Sequence, residues 1–244
     1  MKSFAGQRVW IIGASEGIGA AMARALRDDG AGLILSARSA ANLELLAREC
    51  PGAEVLPLDL ARPESLEQAV ARLAETGSLD AVICTAALYH PARVADLDRD
   101  LTAALIQVNL MGMIEVARLT PPLLRAGGQL VIFGSVAGYF GLPGGQAYSA
   151  TKAAVNNLAE SLRAELAPRV DVRLVCPGFV RTRLTDKNRF KMPALLEPAE
   201  AARLILRGLK GRSFEIHFPK RFTLAVKLLR LLPYGLSLRL SARL

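Results

Sequence analysis

The feature that most constrains this chain is an alternation. Short, continuous apolar runs at 8–12, 32–37, 54–57, 80–84, 129–134, 170–175 and 214–218 are separated by segments with apolar residues at three- and four-residue spacing. A continuous apolar run of this length suits a strand covered on both faces. The intervening segments read as helices at 16–29, 98–124 and 148–166. Pro63 followed by Glu64 and Glu67, and Pro198 followed by Glu200, mark two further helix starts. Strand–helix alternation at this pitch predicts an α/β fold: one doubly wound, seven-stranded parallel sheet with right-handed crossovers and helices on both faces.

Of the 244 residues, 52% are hydrophobic, enough for a sizeable core and too many for a disordered chain. No linker, repeat or low-complexity tract interrupts the pattern. The expected organisation is one α/β domain at 1–219 with 220–244 as its basic helical extension. Cys50, Cys84 and Cys176 lie far apart, which excludes a disulfide framework and a CxxC zinc site. They fit a reducing compartment, and with no signal peptide and no uncharged apolar run of 18 residues the cytoplasm is expected. No metal site is expected; Asp96, Asp98 and Asp100 lack the glycine and closing glutamate of a calcium loop. The net charge of +9 is uneven. From residue 169 onward there are 17 Lys or Arg and 5 Asp or Glu, leaving −3 for residues 1–168. That split argues against a nucleic-acid binder.

Ligands of such sheets sit beyond the carboxyl ends of the strands. The first strand runs into Gly13–Ala14–Ser15–Glu16–Gly17–Ile18–Gly19. Glycines opening a helix present backbone N–H groups and a helix N-terminus to a pyrophosphate, with no side chain in the way. The spacing is GxxxGxG rather than GxGxxG, so the turn alone does not name the ligand, but its position predicts a Rossmann-type dinucleotide site. After the second strand, where a carboxylate usually meets the ribose 2′-hydroxyl of NAD, there is no acid between Gly30 and Leu43. Arg38 stands there instead. A guanidinium can hold a 2′-phosphate bidentately, with Ser15 adding a hydrogen bond, so NADP(H) is expected over NAD(H).

The fifth strand is followed by Ser135, then by Tyr148 and Lys152 at i, i+4 spacing on one helix face. Tyr89, Tyr139 and Tyr234 are followed at that distance by Arg93, Pro143 and Leu238. Tyrosine titrates near 10, too high for efficient acid–base work at neutral pH. A cation about 4 Å away at an effective dielectric of 20 stabilises a phenolate by up to ~4 kcal/mol, so Lys152 is expected to lower the Tyr148 pKa by up to ~3 units.

These motifs, in this order, resemble the short-chain dehydrogenase/reductase family over residues 7–218: the GASEGIG turn, Asp59 after the third strand, Asn109 in Val108–Asn109–Leu110, Ser135, the YSATK run from Tyr148 to Lys152, and Pro177–Gly178 followed by Thr182. The resemblance implies a catalytic set of Asn109, Ser135, Tyr148 and Lys152. Tyr148 would exchange a proton with the substrate oxygen and Ser135 would hydrogen-bond that oxygen. Lys152 would hold the nicotinamide ribose, and Asn109 a water leading to Lys152. Cofactor contacts would come from Gly13, Ser15, Glu16, Gly17, Ile18, Gly19, Arg38, Asp59, Leu60, Ala86, Tyr148, Lys152, Pro177, Gly178, Val180 and Thr182. One motif departs from the pattern: the family's Asn-Asn-Ala-Gly after the fourth strand is Cys84–Thr85–Ala86–Ala87 here. Thr85 is expected to replace one hydrogen bond, and Ala87 to alter the cofactor pocket slightly. Cys84 and Cys176 read as small buried hydrophobes.

The substrate is expected against Leu88, Tyr89, Val136, Phe140, Leu142, Gln146, Phe179 and a basic segment at 183–196 that includes Arg189. Mostly apolar residues favour a lipophilic carbonyl or secondary alcohol. An NADPH-dependent ketone reductase is the leading reading, with an oxidative NAD(P)-linked alcohol dehydrogenase and a non-catalytic NADP(H)-sensing module as alternatives. The family resemblance implies a homodimer or homotetramer. In 220–244 a stripe of Lys220, Thr223, Lys227 and Arg230 opposes a leucine-rich face, and Leu236, Leu240 and Leu244 follow with Arg239 and Arg243 nearby. That pattern suits either packing on protein or peripheral contact with anionic lipid.

Overall fold

The computed structural model of the chain describes residues 3–141, 143–188 and 190–241. Leu142, Arg189, Arg243 and Leu244 fall outside the described residues. Seven strands form one sheet: β1 (Arg8–Ile12), β2 (Gly32–Ser36), β3 (Glu54–Val55), β4 (Leu79–Cys84), β5 (Leu124–Phe133), β6 (Val170–Pro177) and β7 (Glu215–Phe218). All neighbours pair parallel, in the order β3-β2-β1-β4-β5-β6-β7. The expected Rossmann-type doubly wound sheet is therefore present. Strand order reverses between β1 and β4, so a crevice opens beyond their carboxyl ends.

The continuous apolar runs follow from burial on both faces. Along β1, Val9 and Ile11 join one core layer, while Trp10 and Ile12 join the other. The first layer lies under α1 (Gly17–Asp28), α2 (Ala40–Glu49) and α7 (Pro198–Leu209). The second lies under α3 (Pro63–Ala74), α4 (Arg99–Ile106), α5 (Gly112–Leu119) and α6 (Gln146–Leu166). Trp10 is fully buried, so its indole N–H needs a partner. It donates to Ser36 Oγ at 2.8 Å, which donates to the Leu56 carbonyl at 2.5 Å. One buried hydroxyl thereby links the segments of β1, β2 and β3.

Two sequence expectations need adjustment. β3 is only two residues long, although Leu56 and Leu58 continue its backbone bonding to Leu35 and Ala37. The helix expected over 98–124 is interrupted by a π-helical turn, Gln107–Met111, between α4 and α5. The span Arg99–Leu123 is long and apolar enough to cross a membrane by length and composition alone. Its Val108, Asn109, Met113 and Val116 are nevertheless buried against the sheet layer. The C-terminal segment forms α8 (Lys220–Leu231) and α9 (Tyr234–Ser241).

Candidate active site

A cleft of about 490 Å³ opens beyond β1 and β4. Its walls include Gly13, Ser15, Glu16, Gly17, Ile18 and Gly19 from the glycine turn, Arg38 after β2, Asp59 and Leu60 after β3, Ala86 after β4, and Thr182. These are eleven of the residues expected to hold the cofactor. The turn must be glycine for a geometric reason. Gly13 has φ +92°, and a Cβ there would stand 2.6 Å from the Ala86 backbone nitrogen; at Gly19 a Cβ would stand 2.1 Å from the Gly13 carbonyl oxygen. No side chain fits at either place, which leaves a bare backbone cradle of the shape a diphosphate needs. At the other end, Arg38 and Ser39 precede α2, and Ser39 Oγ caps it by accepting from the Asn42 N–H. Arg38 is exposed and makes no ion pair among the described residues.

Thr85 also lines the cleft and explains the altered fourth-strand motif. Its hydroxyl lies 3.0 Å from the Gly13 carbonyl oxygen and 3.2 Å from that of Ile12, and its N–H donates to Ile12. The switch-point strands are thus braced by one residue where the family uses an asparagine.

Asn109 lies in the π turn and is 1% exposed. Its carboxamide grips the Leu88 backbone in both directions, accepting from the N–H at 2.7 Å and donating to the carbonyl at 2.8 Å. That positions Leu88 on the cleft wall. Ser135 follows β5 directly. Its hydroxyl accepts from the Ala137 N–H at 3.1 Å and lies on the Tyr148 side of the site, where it lowers the phenol's pKa. Lys152, almost completely buried, donates from Nζ to the Phe133 carbonyl at 2.7 Å and lies 5.8 Å from the Tyr148 ring centroid. Ser135, Tyr148 and Lys152 thus come together at the end of β5, and Asn109 holds the neighbouring loop.

The electrostatics differ from the sequence expectation. Burial pushes the Tyr148 phenol up to about 12, with only the Ser135 hydroxyl pulling it down. Burial also draws Lys152 down to about 8. The expected lowering of the phenol by the ammonium does not appear in this geometry: burial raises the phenol, and the ammonium's hydrogen bond goes to the Phe133 carbonyl.

Other expected residues stand apart from the cleft walls. Pro177 ends β6, the Gly178 N–H donates to the Phe218 carbonyl, and Val180 is buried beside Leu196. Val136 and Phe140 belong to the core layer. Gln146 is half-buried, and its Oε1 has no hydrogen-bond partner among the described residues. Phe179 packs on Phe190 and Phe222. Tyr89 is better placed than the sequence alone indicates. Its ring meets Tyr148 edge-on at 4.9 Å, and its hydroxyl donates to Asn188 Oδ1 at 2.7 Å. No local signal in the sequence joins residues 99 positions apart.

The short chain dehydrogenase family model matches residues 7–192. The chain belongs to this family. This short-chain dehydrogenase is an NAD(P)-dependent oxidoreductase. It is 32% identical to an uncharacterized oxidoreductase of Myxococcus xanthus over 91% of each chain. Among solved structures, it is similar to an alcohol dehydrogenase of Thermococcus sibiricus complexed with 5-hydroxy-NADP, with 31% identity and a TM-score of 0.80 over 86% of this chain and 95% of that one. It is also similar to a short-chain dehydrogenase of Sphingobium yanoikuyae in complex with NADPH, with 29% identity and a TM-score of 0.80 over 87% and 88%.

Proposed function

We propose that this short-chain dehydrogenase is an NADPH-dependent reductase of a lipophilic ketone, with residues 1–219 as the catalytic unit. The observation that carries this reading is the convergence of Ser135, the half-buried Tyr148 phenol and the buried Lys152 at the end of β5, with Lys152 Nζ 5.8 Å from the phenol ring centroid. Held up at about 12, the phenol stays protonated at neutral pH and can donate a proton to a carbonyl oxygen. Ser135, beside the phenol, can donate to the same carbonyl oxygen as charge grows there. Lys152 fits a role at the nicotinamide ribose, where a buried ammonium would favour loss of the phenolic proton. When bound, NADPH supplies the hydride. The glycine cradle would hold its diphosphate, Arg38 its 2′-phosphate with Ser15 nearby, and Asp59 and Leu60 its adenine. Crystallised relatives with NADP-type cofactors support the same assignment. Pro177, Gly178, Val180 and Thr182 would hold the nicotinamide, the first three from a strand end outside the open cleft. Gln146 and Phe179 are the proposed substrate contacts, with Val136 and Phe140 shaping them from behind. The exposed Leu101, Ile106 and Met111 suit a dimer or tetramer surface. Three buried, unpaired cysteines fit the cytoplasm.

The test is NADPH oxidation over aliphatic, aromatic, steroid-like and acyl ketones, with wild type and Tyr148→Phe. A general acid contributes about 10²–10⁴-fold, so the variant should lose at least about a hundredfold in turnover while still binding NADPH. Retention of more than about a tenth of wild-type turnover overturns the assignment.

A further inference from the structure

α8 is amphipathic, and it is seated with Phe222, Val226 and Leu229 on the core and with polar residues beside them also turned to the protein. Thr223 and Val226 are buried; Lys227 pairs with the Glu215 carboxylate and lies 5.0 Å over the Tyr139 ring. Arg230 donates to the Tyr139 carbonyl at 2.9 Å, and Thr223 Oγ1 is 2.6 Å from His217 Nδ1. Thr223 is thus buried and Lys227 half-buried against the protein, while Arg230 stays exposed but tied to Tyr139. The leucine face is left outward. Leu228 is 62% exposed and Leu231 79%, and the surface continues through Leu224, Tyr234, Leu236 and Leu238 onto α9. Exposed leucines at i, i+4 and i+7 on α8, with further exposed apolar residues on α9, call for a partner.

The charges around it select the partner. From Lys220 to the end of the sequence there are six Lys or Arg and no Asp or Glu. Lys220, Arg221 and Arg239 are exposed. Two copies meeting face to face about a two-fold axis would set these cations against their own images, with no acid from either segment to neutralise them. An anionic lipid surface satisfies both features: the acyl boundary takes the leucines and the headgroups take the cations. We propose that the outward face of α8 and α9 seats this protein on an anionic lipid bilayer.

The opposite, inward side of α8 reaches toward the proposed substrate region. Phe222 of α8 packs against Phe179 with ring centroids 5.6 Å apart, and Phe179 against Phe190 at 5.7 Å. This aromatic track runs from the helix to the residues after Pro177–Gly178. The further consequence, that the ketone is drawn from the bilayer, rests on the reductase reading; the docking does not.

The experiment is flotation of the full chain with phosphatidylcholine vesicles, with and without phosphatidylglycerol, at low and high salt. The expected result is at least about tenfold more protein floating with phosphatidylglycerol at low salt, and release as salt rises. The triple variant Leu224→Glu, Leu228→Glu, Leu231→Glu should remain in the soluble fraction while binding NADPH like the wild type, which reports that it folds. Lys220→Gln, Arg221→Gln, Arg239→Gln should lose the phosphatidylglycerol preference. Equal recovery of wild type from the soluble fraction with both vesicle types overturns the proposal. So does a wild-type oligomer that the leucine variant dissociates, since a second copy then covers the face. Vesicle binding without NADPH oxidation by any ketone would leave the docking in place and remove the reductase reading.

Discussion

Arg38 and Lys152 carry the sharpest consequences at the scale of single residues. Arg38 stands at the adenosine end with no acid in the preceding loop, so its worth is that of a charge-assisted pair, about 1.5–3 kcal/mol. Arg38→Glu should weaken NADPH binding by roughly 10–100-fold and leave NADH binding nearly unchanged, as read by fluorescence titration of both cofactors. Lys152 makes stability depend on pH. Its folded pKa of about 8 lies below the value near 10.4 of an unfolded lysine. Between the two the unfolded chain holds a proton that the folded chain has released, so stability rises with pH. Cys84, pushed up to about 11, and Cys176, pushed up to about 12, act in the opposite sense once unfolded thiols begin to ionise. The comparison is therefore cleanest as wild type against Lys152→Met between pH 8 and 9. Urea midpoints should show the wild type gaining about 1 kcal/mol relative to the variant over that interval.

The informative elements are the loops that the sheet brings face to face. Thr85 after β4 bonds to the end of β1, and Asn109 in the π turn holds Leu88 by both backbone groups. Around Tyr89 the loop after β4 is tied to the basic segment after β6. The Tyr89 hydroxyl donates to Asn188, and Lys187 Nζ donates to the Tyr89 carbonyl at 2.8 Å. Tyr89→Phe would keep the ring against Tyr148 and remove only the Asn188 bond. A neutral hydrogen bond is worth about 1 kcal/mol, so KM for the ketone should rise about fivefold with kcat held within about twofold. Steady-state kinetics separate this from a chemical role, which would lower kcat with KM flat.

Across the whole molecule, the docking of α8 depends on one carboxylate. Glu215 on β7 receives both the Tyr139 hydroxyl and the Lys227 ammonium, which hold its carboxyl below the usual range against the effect of burial. Glu215→Gln removes the charge that Lys227 answers and leaves the ammonium partly buried. The pair is partly solvated, so the loss should be about 1–2 kcal/mol, less than for a fully buried pair. The urea midpoint should fall accordingly. Limited proteolysis within 220–241 should quicken, while NADPH affinity stays as in wild type.

The sequence by itself determined the sheet, its parallel sense and the placement of the glycine turn, Arg38, Ser135, Tyr148 and Lys152. Those follow from local signals: continuous apolar runs, glycines at a strand end, and an i, i+4 pair on one helix face. Only the tertiary structure decided how these groups titrate, because desolvation depends on what the rest of the chain packs around them. It alone placed Val136 and Phe140 in the core, joined Tyr89 to Asn188, and paired Lys227 of α8 with Glu215 of β7. A helix carries the same amphipathic pattern whichever side is covered. The covered side was settled by what lies beneath it, the core that takes Phe222, Val226 and Leu229 and the Glu215 carboxylate that receives Lys227, and no periodicity within residues 220–244 contains that information.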